Sequence, residues 1–158
     1  MKLSKNFTLE ELSKSNTAER LGIKNTPKGK SLENIKVLVE KLLQPLRDEL
    51  GSSIYISSGF RSKILNLAVG GVENSYHCKG MAVDIDQDGR NRKLTNRIIF
   101  DYIKDNMEFT ELIWEFGDNE NPSWVHVAYD KNNLSKEILY SYKTKDGRTK
   151  YKTRKTNS

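Results

Sequence analysis

The chain has only two histidines, His77 and His126, and each stands in a setting that could do chemistry. His77 lies in Ser75-Tyr76-His77-Cys78-Lys79-Gly80-Met81-Ala82-Val83-Asp84, seven residues before a carboxylate, on a turn that feeds a short strand. His126 lies in Trp124-Val125-His126-Val127. Two neutral imidazoles and one carboxylate are a common catalytic zinc set, because three protein ligands leave the fourth position for water. Zinc lowers the pKa of such a water to about 7 and polarises a carbonyl. The spacing allows this arrangement. Gly80 permits a sharp turn between His77 and the strand, Asp84 shares its strand face with the small Ala82, and Met81, Val83 and Ile85 can anchor the opposite face in a core. The same residue types also have plainer uses. A lone histidine is more often a surface or hydrogen-bonded core residue, and an aspartate at a strand end is commonly a turn former.

The elements around these residues follow from periodicity and breakers. Thr8-Leu9-Glu10-Glu11 is a capping-box pattern and predicts a short helix over 9–15. Residues 22–31, with Gly22, Pro27 and Gly29, read as a loop. Ser31 is a good N-cap for the longest helix, 32–50, in which Ile35, Leu38, Val39, Leu42, Leu46 and Leu50 recur at three- and four-residue spacing. Pro45 should kink it or remove one hydrogen bond, and Gly51 should end it. Ile54-Tyr55-Ile56-Ser57 alternates as a strand and runs into Ser58-Gly59-Phe60-Arg61-Ser62, a turn able to present Arg61 at the end of a sheet. A helix is expected over 62–69, a strand over 81–85, a polar loop over 86–93 and a helix over 95–106. Residues 112–116 and 124–129 read as the strands of a hairpin joined by the Gly/Asn/Pro-rich loop 117–123. Helices come first, short strands cluster later, and no βαβ pattern repeats. The expected class is α+β, with N-terminal helices packed on a small, mostly antiparallel sheet.

At 158 residues the chain suits one domain. Its net charge of +6 sits in residues 143–158; the rest of the chain is balanced, 20 basic against 20 acidic side chains. Those last residues have no aliphatic side chains and are expected to form a flexible basic tail, leaving 1–142 as the folded domain. The tail could draw the protein to an anionic polymer or be a solvated end. Nucleic-acid binding is not expected, since no recognition fold accompanies the charge. The single cysteine, Cys78, rules out an internal disulfide. No stretch approaches the about 18 apolar residues of a membrane span, so no membrane insertion is expected. The first residues lack the apolar run of a signal peptide, so synthesis in the cytoplasm is expected.

Three motifs in order carry a family resemblance over about residues 5–130. Ser75-x-His77-x-x-Gly80-x-Ala82-x-Asp84 resembles the S-x-H-x-x-G-x-A-x-D signature of the zinc D-Ala-D-Ala metallopeptidases. That group includes bacterial DD-carboxypeptidases, phage endolysins and, by shared fold, the hedgehog signalling domain. Ser58-Gly59-Phe60-Arg61-Ser62 is similar to the group's S-G-[YF]-R-S turn, and Trp124-Val125-His126 to its W-x-H segment. Phe7 to Leu12 and Leu21-Gly22-Ile23 resemble a phage and bacterial branch of the group.

The resemblance implies a hedgehog/DD-peptidase-like fold with Zn2+ held by His77, Asp84 and His126, and Arg61 holding a substrate carboxylate or the developing oxyanion. It implies hydrolysis of a peptide bond involving a D-amino acid in peptidoglycan stem peptides, as a DD-carboxypeptidase or an endolysin-type endopeptidase. The protein would then act on the cell wall, as a monomer. The chain departs from the group at one place. Where many members carry an acid three residues before the last histidine, it has Ser123. Glu115 is the best substitute: if 112–116 and 124–128 pair so that Glu115 faces Trp124, it lies diagonal to His126 on the same face, about 7–8 Å away. A register slip of one residue would turn it to the other face. Glu120 is the runner-up, if the loop folds it back. Ser75 is expected to hydrogen-bond the ligand loop, and Cys78 to be a buried spectator. The alternative to an enzyme is a non-catalytic, zinc-bearing, cell-wall-binding module of the same fold.

Overall fold

The computed structural model describes residues 1–91 and 93–153. Helix α1 (Leu9–Ser13) starts where its capping pattern predicts, with the Thr8 hydroxyl accepting from Glu11 N at 3.2 Å. Helix α2 (Asn16–Leu21), which the periodicity did not reveal, is capped by Ser15 and closed by a left-handed Gly22. The long helix begins slightly early, as α3 (Lys30–Leu38), with Gly29 at the cap. The Ser31 hydroxyl donates instead to Lys28 O. Nor is the helix uniform: α3 passes through a π-helical turn, Val39–Leu43, into α4 (Gln44–Leu50). This is the form the Pro45 effect takes. Proline brings no N–H, so a carbonyl one turn back lacks its partner, and one wider turn re-phases the ladder around it. Leu42, Leu43 and Leu46 stay fully buried through the change.

Strands β1 (Ile56–Ser58), β2 (Ala82–Ile85), β3 (Glu111–Glu115), β4 (Trp124–Ala128), β5 (Glu137–Lys143) and β6 (Thr149–Lys152) form one sheet in the order β1-β2-β4-β3-β5-β6. Helix α5 (Lys63–Ala68) follows β1, and α6 (Asn96–Asn106) lies between β2 and β3. Every neighbouring pair is antiparallel except β3 with β5. The class is therefore α+β with a mostly antiparallel sheet, as expected. β3 and β4 pair with Glu115 opposite Trp124 and Ile113 opposite His126, and β2 and β4 set Asp84 opposite His126.

The two-residue period of a strand then sorts the side chains. Val83, Ile85, Val125, Val127, Leu112 and Trp114 join one buried cluster with residues of α3, α4 and α6, such as Ile35, Leu46 and Phe100. Asp84, His126 and Glu115 alternate with them and face the other way. Along β1 the pairing skips a residue between Ile56 and Ser58, a bulge that re-aims the following Gly59-Phe60-Arg61 turn.

Residues 143–152 are not a tail, which corrects the sequence expectation. β5 and β6 form a hairpin that extends the sheet by two strands. The absence of aliphatic residues from 143 onward misled because β6 is held by its backbone ladder to β5, whose Ile138 and Tyr140 pack on the core, and because tyrosine and threonine suit strands as well as aliphatic residues do. Tyr140 anchors the hairpin, its ring 5.9 Å from Phe100 and 6.1 Å from Trp114. Residues 154–158 of the expected tail lie outside the described residues.

Candidate metal centre and cleft

His77 stands in a 3-10 turn, Tyr76–Lys79, just before β2. The Ser75 hydroxyl opens the turn by accepting from His77 N at 3.1 Å, the role expected of it. Gly80 closes it at φ 72; a Cβ there would lie 2.3 Å from Ser31 O, so only glycine lets the turn pack on α3. Asp84 Oδ1 lies 3.3 Å from His77 Nε2 and 3.1 Å from His126 Nδ1. One donor atom from each of His77, Asp84 and His126 falls within 4.8 Å of the others, a group that could hold a metal ion.

The outer nitrogens of the two rings are both engaged. His77 Nδ1 is 2.7 Å from Gly59 O. A carbonyl only accepts, so Nδ1 carries the hydrogen and the Nε2 lone pair is the one turned to Asp84. Two such acceptors at 3.3 Å need a cation between them, a proton or a metal. His126 Nε2 is 2.9 Å from Glu111 Oε1. Metal-ligating histidines usually hold a carbonyl or carboxylate on their other nitrogen, which fixes ring orientation. Both histidines here do so, and the donor set therefore fits a zinc ion.

Without a metal, a proton held by His126 supplies the positive charge. Burial works against a charged His126, but the Asp84 and Glu111 carboxylates outweigh it and push the imidazole up to about 10. Burial would raise Asp84; the His77 and His126 rings beside it outweigh that and hold its carboxyl well below the usual range. A metal ligand must lose its proton, so a metal entering this site displaces one from His126.

The three residues open onto a cavity of about 550 Å³ that Arg61 also lines. The chain reaches Arg61 through Gly59, whose added Cβ would sit 2.1 Å from Leu12 O. Ser62 caps α5, and the Asn25 side chain ties Phe60 O and Ser62 N on either side of Arg61. Asn66 Oδ1 accepts from Arg61 Nη1 at 3.1 Å, while Arg61 Nε is buried with no partner among the described residues. An orphaned guanidinium donor at a cleft is ready for an anionic acceptor.

Glu115 lines the same cavity, on the face of β3 that the register assigns to it. Its Oε2 accepts from Ser141 Oγ at 2.7 Å. Burial raises its carboxyl above the ordinary range, and the Ser141 hydrogen bond pulls part of the way back. Glu120 does not fold back to the site. Its exposed carboxylate pairs with Arg97 Nη1 at 2.9 Å, because Asp118 accepts from the Glu120 and Asn121 amides and turns the loop outward. Cys78 is half-buried, its thiol raised chiefly by burial, and it lies outside the metal-binding group. Glu111 was not foreseen. The strand was expected to begin at Leu112, but alternation from Glu115 back through Ile113 places Glu111 on the site face.

Residues 5–128 match the sequence pattern of the Peptidase M15 family, and the chain belongs to that family. Its members are zinc-dependent metallopeptidases that act on peptidoglycan peptides. Among the curated proteins compared, none matches the chain. The β5–β6 hairpin lies beyond the matched residues.

Proposed function

We propose that the protein is a zinc peptidase of the cell wall that hydrolyses a peptide bond involving a D-amino acid in peptidoglycan stem peptides. The observation that carries this is the convergence of His77, Asp84 and His126 in one cleft with a buried carboxylate, Glu115, and a half-orphaned guanidinium, Arg61. His77 Nε2, Asp84 Oδ1 and His126 Nδ1 would hold the zinc. The chemistry zinc supplies when bound is Lewis acidity toward the scissile carbonyl and a lowered pKa for water.

The chain's own residues do the rest. Glu115 takes a proton from the attacking water and later gives it to the leaving amine. Its raised affinity for protons suits both halves of that shuttle. Ser141 holds the carboxylate by Oε2 and limits its rotation. Arg61, braced by Asn66, fixes a substrate carboxylate or the oxyanion with its forked donors. Glu111 holds the His126 ring by Nε2, which leaves Nδ1 facing Asp84, where it could ligate zinc.

The deciding experiment is incubation of the zinc-loaded protein with purified peptidoglycan fragments, followed by mass spectrometry of the products. Loss of a terminal alanine defines a carboxypeptidase; cut cross-links or stems define an endopeptidase. Intact fragments in the presence of bound zinc would overturn the enzymatic reading in favour of a wall-binding module.

A further inference from the structure

One face of the β5–β6 hairpin belongs to the cleft. Directly paired residues share a face, so Ser141 and Tyr151, and Lys143 and Thr149, point the same way. Leu139, two residues before Ser141, pairs with Ile113 in the parallel β3 and joins them. Lys143, Thr149 and Tyr151 all line the cavity that holds the metal-binding group. Ser141 grips Glu115 from the same face. Lys143 is exposed; its Nζ donates to Thr149 Oγ1 at 2.7 Å and lies 5.4 Å from the Phe116 ring centroid, which leaves ammonium hydrogens for a further acceptor. The hairpin as a whole, 137–152, carries five basic side chains against Glu137 and Asp146.

The sheet order sets the distance between the cleft's two cations. Arg61 follows β1 at one edge, Lys143 ends β5 near the other, and the metal-binding strands lie between. Four strand intervals separate β1 from β5, roughly 19 Å at about 4.8 Å each. That is the reach of five or six extended residues.

We propose that the β5–β6 hairpin is the specificity wall of the cleft, and that Lys143 Nζ with the Tyr151 hydroxyl receives a second carboxylate of a short acidic peptide whose other anionic group lies at Arg61. This rests on the peptidase reading and adds to it the substrate's charge pattern and length. Burial and the nearby Glu115, Glu111 and Asp84 carboxylates keep the Tyr151 phenol protonated, hence a donor. Of the hairpin's basic residues, Lys143 is the one that shares the cleft face; Lys150 and Lys152, paired with Tyr142 and Tyr140, lie on the opposite face, and Arg148 pairs with Asp146.

The test uses synthetic five-residue stem peptides, each differing only in which carboxylate is free or amidated. Kinetics are measured for the zinc-loaded wild type, Lys143→Met, Lys143→Arg and Tyr151→Phe, and binding is measured by calorimetry in the zinc-loaded Glu115→Gln protein with and without Lys143→Met. For one carboxylate, Lys143→Met should raise KM about tenfold with kcat within about twofold, the loss of one charge-assisted hydrogen bond at a partly solvated site. Amidating that carboxylate should impose the same penalty on the wild type and none on Lys143→Met. Lys143→Arg should recover most of the loss, and Tyr151→Phe should raise KM less than Lys143→Met does. Equal KM for wild type and Lys143→Met on every peptide overturns the wall. If the wild type cuts none of the peptides, the peptidase reading fails, and calorimetry still decides the wall: charge-selective binding lost in Lys143→Met supports it, and equal binding sinks it.

Discussion

The two faces of β2, β4 and β3 use the same backbone for opposite purposes. On one face Val83, Ile85, Val125, Val127, Leu112 and Trp114 pack against the helices and exclude water. On the other, Asp84, His126, Glu111 and Glu115 alternate with them and gather polar groups. The apolar face is held by contact area, which is non-directional and tolerates volume-conserving change. The polar face is held by paired donors and acceptors: His77 on Gly59 O, His126 on Glu111, Glu115 on Ser141. Asp84 and His126 are each flanked in sequence by two core residues, and Glu111 and Glu115 each by one, so packing on one face fixes the backbone that aims the other. Precision at the metal-binding group is thus a product of the core behind it.

The comparison breaks most sharply at the metal-binding group. His126→Ala should take zinc from one per chain to none, measured by mass spectrometry of the metal, and abolish hydrolysis. Leu112→Ala, one strand over on the opposite face, should do the reverse. It costs about 2–5 kcal/mol of stability in a denaturant titration through transfer and cavity terms, yet keeps zinc at one per chain. A folded Leu112→Ala protein without zinc would show that the two faces are not separable.

Next in size is Glu115→Gln, which should retain zinc and lose about 10²- to 10⁴-fold in kcat, the range expected of a general base. Full activity in this variant would remove Glu115 from the chemistry. Glu111→Ala should leave the base in place but release the His126 ring, raising the zinc Kd about 10- to 100-fold. It should also change the pH dependence of metal binding. In the metal-free protein His126 keeps its proton up to about 10, so zinc affinity should climb with pH toward that value. Without the Glu111 carboxylate the proton leaves at lower pH, and the climb should level off sooner. Competition titrations with a chelating dye between pH 6 and 9 read both effects.

Much of the polar face was legible because strand alternation is strict. Once Asp84 and His126 were placed on strands, the β3–β4 register alone decided whether Glu115 joined them; the long loop between the strands left it open, and the pairing of Glu115 with Trp124 settles it. Glu111 escaped because it begins its strand, where a charged residue reads as loop. The β5–β6 hairpin escaped for a different reason. The pairing of β5 with β3 is parallel and non-local, and the Lys, Thr and Tyr residues of β6 alternate without an aliphatic signal. The π-helical turn was visible only as a consequence of Pro45, whose missing donor announces a disturbance but not its geometry.

The smallest expected effect sharpens the comparison most, because it touches neither the metal nor the core. Ser141→Ala removes the hydroxyl that donates to Glu115 Oε2 from the hairpin. That hydrogen bond favours the charged carboxylate, while burial favours the neutral one; with the hydroxyl gone, burial is less opposed and the Glu115 carboxyl rises further. A base must be ionised, so activity is full above its pKa and falls as pH drops through it. The acid limb of kcat against pH should therefore move to higher pH in Ser141→Ala, while kcat on the plateau and the zinc content change little. Stability shifts in a linked way. A carboxyl raised in the folded state contributes stability that is present below its unfolded pKa and lost as pH rises through its folded one. The variant should accordingly lose more stability relative to wild type at pH 7 than at pH 4, in paired urea titrations. An unmoved acid limb would mean that Ser141 braces the hairpin alone, and that the proton shuttle does not depend on the wall beside it.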